Sequence, residues 1–288
     1  MMNDSSCVND YPCGGVAVIC HTRYRMDGLI SQSSDSRIYS AHSMEGEVNS
    51  AFVIKYYSCR KGGERWKKCM REIEAGQMLR RCKHVVALLG FTVIDDRDGG
   101  NYQIMLLFER LPCLDDLTVD RRETLEMCRD ISLALEETRK KGLVHGDVKP
   151  SNIYRAADGR WLLGDWGSVC LRGETPRYGS EGYCSPEACM GKPCDTRSDI
   201  YALGITCYKL LSGGRLPFCD LPCEVMEPED VYRAIDRRLS GEPLPPVADA
   251  DAGVNELLRG MCGFTARKRF RRPTQAADLA TKLLETAI

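Results

Sequence analysis

The run His145-Gly146-Asp147-Val148-Lys149-Pro150-Ser151-Asn152, followed eighteen residues after its aspartate by Asp165-Trp166-Gly167, constrains the chain more than any other feature. It sets close together an aspartate able to orient a hydroxyl and take its proton, a lysine two residues on, and two side chains, Asn152 and Asp165, that offer hard oxygen ligands of the kind Mg²⁺ takes. Any one of these polar residues alone reads as a solvated surface group. The set, in this order and spacing, does not.

Further pieces fall on either side. Phe52-Val53-Ile54-Lys55 lies upstream. Downstream come Gly179-Ser180-Glu181-Gly182-Tyr183-Cys184-Ser185-Pro186-Glu187, then Ser198-Asp199-Ile200-Tyr201-Ala202-Leu203-Gly204, then Arg272-Pro273-Thr274. In order, the pieces resemble V-A-I-K, H-x-D-x-x-x-x-N, D-F-G, G-T-x-x-Y-x-A-P-E, S-D-x-Y-S-L-G and R-P-T of the eukaryotic-like (Hanks-type) protein kinase superfamily. The resemblance covers nearly the whole chain, from about Tyr24 to the C-terminus. It implies an α+β, two-lobed protein-kinase-like fold: a small β-rich N-lobe (about 23–108), a hinge (about 109–115) and a larger, mainly helical C-lobe (about 116–288). Residues 1–22 read as a leader that is either loose or adds a strand.

The same resemblance implies roles. Asp147 would orient the substrate hydroxyl and accept its proton, and Lys149 would meet the γ-phosphate. Asn152 and Asp165 would hold Mg²⁺. Lys55 would take the α- and β-phosphates of ATP, anchored by an acidic residue of the following helix. Glu72 and Glu74 both qualify: Glu72 puts Leu79 seven residues on, Glu74 puts Met78 four residues on, and Glu72 is favoured. The nucleotide site maps onto Ile30, Ser31, Ser33, Ser36, Ile38, Val53, Lys55, Glu109, Leu111, Asp115 and Tyr154. Asp199 would anchor the catalytic loop from beneath, and Arg272 would pair with Glu187. Lys149 and Ser180 point to serine and threonine hydroxyls on a protein substrate.

Several positions depart from the family pattern. Serines 31, 33 and 36 replace all three glycines of the G-x-G-x-x-G frame, which restricts the backbone while keeping its N–H donors. Asp35 adds a negative charge at the tip of that loop. Val53 and Tyr154 add bulk where the family uses alanine and leucine around the purine. Gly146 replaces the arginine that grips an activation-segment phosphate, so the expected enzyme works without that phosphate. Retention of Lys55, Asp147, Lys149, Asn152 and Asp165 favours an active serine/threonine kinase. The alternative is a nucleotide-binding pseudokinase that serves as a protein-interaction scaffold. A kinase-fold enzyme acting on a small molecule fits less well, because the Gly179–Glu187 segment builds a peptide-docking surface in the family.

Bulk composition agrees with a folded domain. The 288 residues are 43% apolar, and 40 basic residues nearly cancel 41 acidic ones, so no electrostatic drive toward nucleic acid or an anionic membrane is expected. The basic run 267–272 is read as an interhelical turn before it is read as a nucleic-acid or localisation patch. Sixteen cysteines without CxxC spacing read as buried thiols of a reducing, cytoplasmic setting. The apolar stretches Gly14–Cys20 and Val85–Ile94 are too short for a signal peptide or a membrane span. Helical periodicity predicts helices at Glu64 to about Arg81, Leu125–Arg139, Ser198–Leu211, Pro228–Leu239, Val254–Cys262 and Thr274–Ala287, with strand-rich runs at Ser36–Ser40 and Ala51–Tyr57.

Overall fold

The structure, a computed structural model, describes residues 14–45, 51–96, 100–176 and 179–286. Most of the turn read around Met44–Asn49, and Arg177 and Tyr178 of the activation segment, lie outside the described residues. The chain divides into two compact units, residues 1–80 with 86–110, and 81–85 with 111–288.

The first unit is a six-stranded antiparallel sheet with one helix. Its elements are β1 (Val16–Ile19), β2 (Thr22–Gln32), β3 (Arg37–Ser43), β4 (Ala51–Arg60), α1 (Glu64–Leu79), β5 (Gly90–Asp96) and β6 (Asn101–Glu109), with the strands in the order β1-β2-β3-β4-β6-β5. Residues 16–19, within the stretch read as a leader, are β1. Two-residue alternation sorts the side chains. Ile54, Tyr56, Met105 and Leu107 join Ala17, Ile19 and Met26 in one core cluster. Tyr57, Cys59, Ile104 and Leu106 of the same strands join Cys69 and Ile73 of α1 in another. Register shifts in β2 between Met26 and Gly28 and between Leu29 and Ser31 bend the sheet. The bend brings its first and last strands together: a Cβ on Gly90 would stand 2.9 Å from Ile19 and 2.8 Å from Cys20, so only glycine fits there.

The second unit is mainly helical. It contains α2 (Arg121–Lys140), β7 (Leu143–Val144), β8 (Ile153–Arg155), β9 (Trp161–Leu163), β10 (Cys170–Leu171), α3 (Pro186–Cys189), α4 (Thr196–Leu211), α5 (Pro228–Ser240), α6 (Ala252–Met261) and α7 (Pro273–Thr286). The short strands form two antiparallel pairs, β8 with β9 and β7 with β10. Helix α4 is buried nearly all round, from Thr196 to Tyr208, and so forms the centre of this unit. Capping residues set the helix starts. Asp120 and Glu123 form a reciprocal capping box on α2, while Asp195 and Asp251 cap α4 and α6. No described helix is long and apolar enough to cross a membrane.

Two sequence expectations fail in this unit. Cys184 and Cys189 are joined in a disulfide rather than free, because the turn into α3 brings their Cα atoms to 6.3 Å, within bridging reach. Cys59, Cys69, Cys128, Cys207 and Cys262 are buried thiols. The partner of Glu187 is Arg269, not Arg272: Arg269 Nη1 and Nη2 donate at 2.6 and 2.8 Å to its two carboxylate oxygens. The Arg269 side chain is fully buried, its guanidinium 4.6 Å from the Tyr201 ring centre. Arg272 stands just before Pro273, the first residue of α7, with its side chain 55% exposed, and it reaches Glu136 of α2 instead.

Candidate active site

In the first unit, β4 points Lys55 inward, where the residue is 7% exposed. Its Nζ donates to both carboxylate oxygens of Glu72 at 2.9 and 3.1 Å, and the Tyr57 hydroxyl donates to the same carboxylate. Helical spacing puts Glu72 on the buried face of α1 with Cys69, Ile73 and Gly76, while Glu74 is exposed. A Cβ on Gly76 would come within 3.0 Å of Leu88, so the missing side chain lets α1 sit close enough for the pair to form.

The serine-substituted loop closes on itself. Ser33 Oγ accepts from the backbone N–H groups of Asp35 and Ser36 at 3.2 and 3.1 Å, so a side-chain turn does what glycine flexibility does elsewhere. Asp35 is turned onto α1, where Lys68 holds it at 2.8 Å and Arg65 lies at 3.7 Å, which neutralises the charge that the sequence placed at the loop tip. Ile30 and Ser31 lie near the end of β2, just before its last residue, Gln32, and Ser36 precedes β3. Ile38 of β3 stands opposite Lys55, Val53 opposite Ser40, and Glu109, the last residue of β6, opposite Phe52.

In the second unit the catalytic loop is fixed from below. The Asp199 carboxylate accepts from the backbone N–H of His145 and of Gly146, each at 2.9 Å. Burial pushes its pKa up, against the pull of His145 and of these two donors. His145 Nε2 lies 3.0 Å from the Gly164 carbonyl, and its ring meets Trp166 edge-on at 4.7 Å, so the tryptophan is a buried wedge. Above this base the polar groups converge on Asp147. Oδ1 accepts from the Ser180 backbone N–H at 3.1 Å and from its hydroxyl at 3.0 Å. Oδ2 faces Lys149 Nζ at 3.0 Å and Asn152 Nδ2 at 3.2 Å. Lys149 Nζ also donates to Ser180 Oγ at 2.8 Å. Asp165 has a left-handed backbone, φ 56°, and its Oδ1 accepts from Gly167 N–H at 3.2 Å. Tyr154 of β8 is bridged to Cys113, while Leu111 and Asp115 flank the bridge, Asp115 in a single 3₁₀ turn.

The described residues of the activation segment, 165–176 and 179–187, are tied to the rest of the chain. Strand β10 pairs with β7, Gly173 N–H donates to Cys194, and Cys194 N–H donates to Glu174. Arg238, 3% exposed, donates to the carbonyls of Glu181 and Cys184 at 2.7 and 2.9 Å. Gly146 has φ +81°, with the Ser168 carbonyl 2.9 Å from where a Cβ would be. The sequence reading missed Tyr57, Lys68 and Arg238. Lys68, one helical turn before Glu72, carried a spacing signal; Arg238 is one arginine among many and carried none.

Residues 27–284 match the protein kinase domain. This chain belongs to the protein kinase family. Similar proteins include the serine/threonine-protein kinase PksC of Streptomyces coelicolor, 28% identical over 79% of this chain and 44% of that protein. The DNA damage-responsive serine/threonine-protein kinase RqkA of Deinococcus radiodurans is 26% identical over 90% of this chain and 38% of its own. The chain thus spans less than half the length of these curated relatives. Among solved structures, the kinase PK-1 of the Cydia pomonella granulovirus superposes with a TM-score of 0.69 at 21% identity, covering 88% of this chain and 92% of that one. That likeness is one of fold and fits the β-rich and helical units of this kinase chain.

Proposed function

We propose that this chain is an ATP-dependent protein serine/threonine kinase that transfers the γ-phosphoryl group to a protein hydroxyl without needing a phosphate on its activation segment. One observation carries the reading. The Ser180 hydroxyl joins Asp147 Oδ1 to Lys149 Nζ, so the residues of the transfer step are already held in one hydrogen-bonded set.

Phosphoryl transfer asks a protein chiefly for positioning and charge. Asp147 orients the incoming hydroxyl and takes its proton, because its carboxylate is fixed on both oxygens and needs no reorganisation. Lys149 balances charge on the transferred group. Lys55, anchored by Glu72, holds the α- and β-phosphates of ATP. Asn152 spends its Nδ2 on Asp147, which leaves Oδ1 as an acceptor; that oxygen and the exposed Asp165 carboxylate would be the donors that hold Mg²⁺. When bound, Mg²⁺ neutralises phosphate charge. Ile38, Val53, Glu109, Leu111, Asp115 and Tyr154 are the residues proposed to receive the nucleoside. The ties among β7, β10, Cys194 and Arg238 support independence from a segment phosphate, because they hold residues 170–174 and 181–184 without one.

The test is incubation of the purified chain with labelled ATP, Mg²⁺ and a basic protein acceptor, followed by phosphoamino-acid analysis. Phosphoserine and phosphothreonine are expected, and Asp165→Asn should remove them while leaving the fold intact. Mainly phosphotyrosine, or no transfer at all, would overturn the proposal.

A further inference from the structure

The basic run near residue 270 is not absorbed by the active site. Its arginines divide. Arg269 is buried on Glu187 and Arg272 reaches Glu136, but Arg267 and Arg271 turn toward a cavity of about 510 Å³ in the second unit. Three other arginines from distant parts of the sequence line the same cavity: Arg139 at the end of α2, Arg172 just after β10, and Arg197 in the first turn of α4. None of the residues proposed for phosphoryl transfer lines it.

The charges there are not balanced. Arg197 is taken by Asp195, the one carboxylate in the lining, and Arg139 by Glu136. Arg267 and Arg271 are exposed and form no ion pair among the described residues, and the exposed Arg172 shares only the field of Asp195, which Arg197 already holds. Like charges that converge on one concavity repel unless an anion sits among them. A second observation points the same way. Thr196 lines the cavity and is only 7% exposed, yet its hydroxyl has no hydrogen-bond partner among the described residues, and a buried hydroxyl without a partner is costly. Guanidinium groups around a buried hydroxyl donor suit phosphate oxygens. The volume falls within the range of small-molecule sites rather than of a flat nucleic-acid face.

We infer that this cavity binds a compact phosphate-bearing anion with three or more negative charges, at a site separate from the phosphoryl-transfer residues. The bound anion bridges the activation segment through Arg172, the start of α4 through Thr196, and the turn before α7 through Arg267 and Arg271.

The test is isothermal titration of the full chain, carrying Lys55→Met to silence the phosphate-holding lysine, with sodium tripolyphosphate at physiological salt and without Mg²⁺. Saturable one-site binding is expected. Arg267→Ala with Arg271→Ala should weaken it at least tenfold, about 1.4 kcal/mol, and Arg172→Ala should weaken it separately. Both variants should keep the unliganded melting temperature, since all three side chains are exposed. Thr196→Val should weaken binding to a smaller degree. Absence of binding, or binding indifferent to the arginine variants, would overturn the inference. So would orthophosphate binding as tightly as tripolyphosphate, or a short single-stranded oligonucleotide binding more tightly than either.

Discussion

Ser180 stands where the family usually has threonine, and its hydroxyl does two jobs, accepting from Lys149 and donating to Asp147. Ser180→Ala should therefore lower kcat about a hundredfold, the usual weight of a positioned acid–base group, with little change in melting temperature. Ser180→Thr should restore most of the rate, because it returns the hydroxyl. The other residue-scale question concerns α1. Glu72→Gln should cost nearly as much activity as Lys55→Met, whereas Glu74→Gln should stay within about twofold of the parent, since an exposed charge contributes little. Equal losses in the two glutamate variants would undo the assignment of the pair. Spacing alone leaned toward Glu72, and the structure shows why: the position shares a face with Cys69, Ile73 and Gly76. Spacing failed for the arginines near residue 270, because neighbouring identical side chains give no sign of which one turns inward.

Among the elements, the helices were the most legible. The spans expected from Leu125, Ser198, Val254 and Thr274 each begin one to four residues earlier in the structure, at Arg121, Thr196, Ala252 and Pro273. Apolar periodicity marks the buried stripe, but caps and prolines mark the first turn. Strand β1 escaped a firm reading because it is four residues long and its exposed face carries valines rather than polar residues. Helix α2 is tied to the turn before α7 through Glu136, which Arg139 and Arg272 both hold. The Arg139 hydrogen bonds, against the cost of burial and with the help of Arg272, pull its carboxyl down to about 2. A carboxyl depressed in the folded state stabilises above its ordinary pKa of about 4.3 and loses that contribution as pH falls toward 2. Glu136→Gln should thus lower the melting temperature by roughly 5 °C at pH 7, and the gap to the parent should close between about pH 4.5 and 2. A gap that persisted unchanged at pH 2 would assign the effect to packing instead.

For the molecule as a whole, order and spacing of motifs were enough to expect a β-rich unit followed by a helical one, and nearly all the residues proposed for catalysis. What stayed hidden was the wiring between motifs: Arg238 on the carbonyls of Glu181 and Cys184, the Cys184–Cys189 bridge, and the arginine cavity. These depend on distant segments meeting, and no local pattern encodes that. The wiring of the activation segment carries the last functional expectation. Protein stripped of phosphate should retain its rate to within about tenfold, or 1.4 kcal/mol of barrier, measured on a peptide acceptor before and after phosphatase treatment. A larger drop would show that a phosphate is required after all.

The seam where Ile19 and Cys20 rest against Gly90 governs how this chain can be trimmed for production. A fragment begun at residue 27, where the family match starts, discards β1 and the head of β2. It would uncover Tyr39, Ile54 and Met105, which those strands help shield, and leave Ala41, His42 and Ser43 of β3 without their β2 partners. Such a fragment should accumulate as insoluble material in expression trials, while one begun at residue 14 should remain in the soluble fraction. Comparable soluble yields from the two would mean that the seam is dispensable.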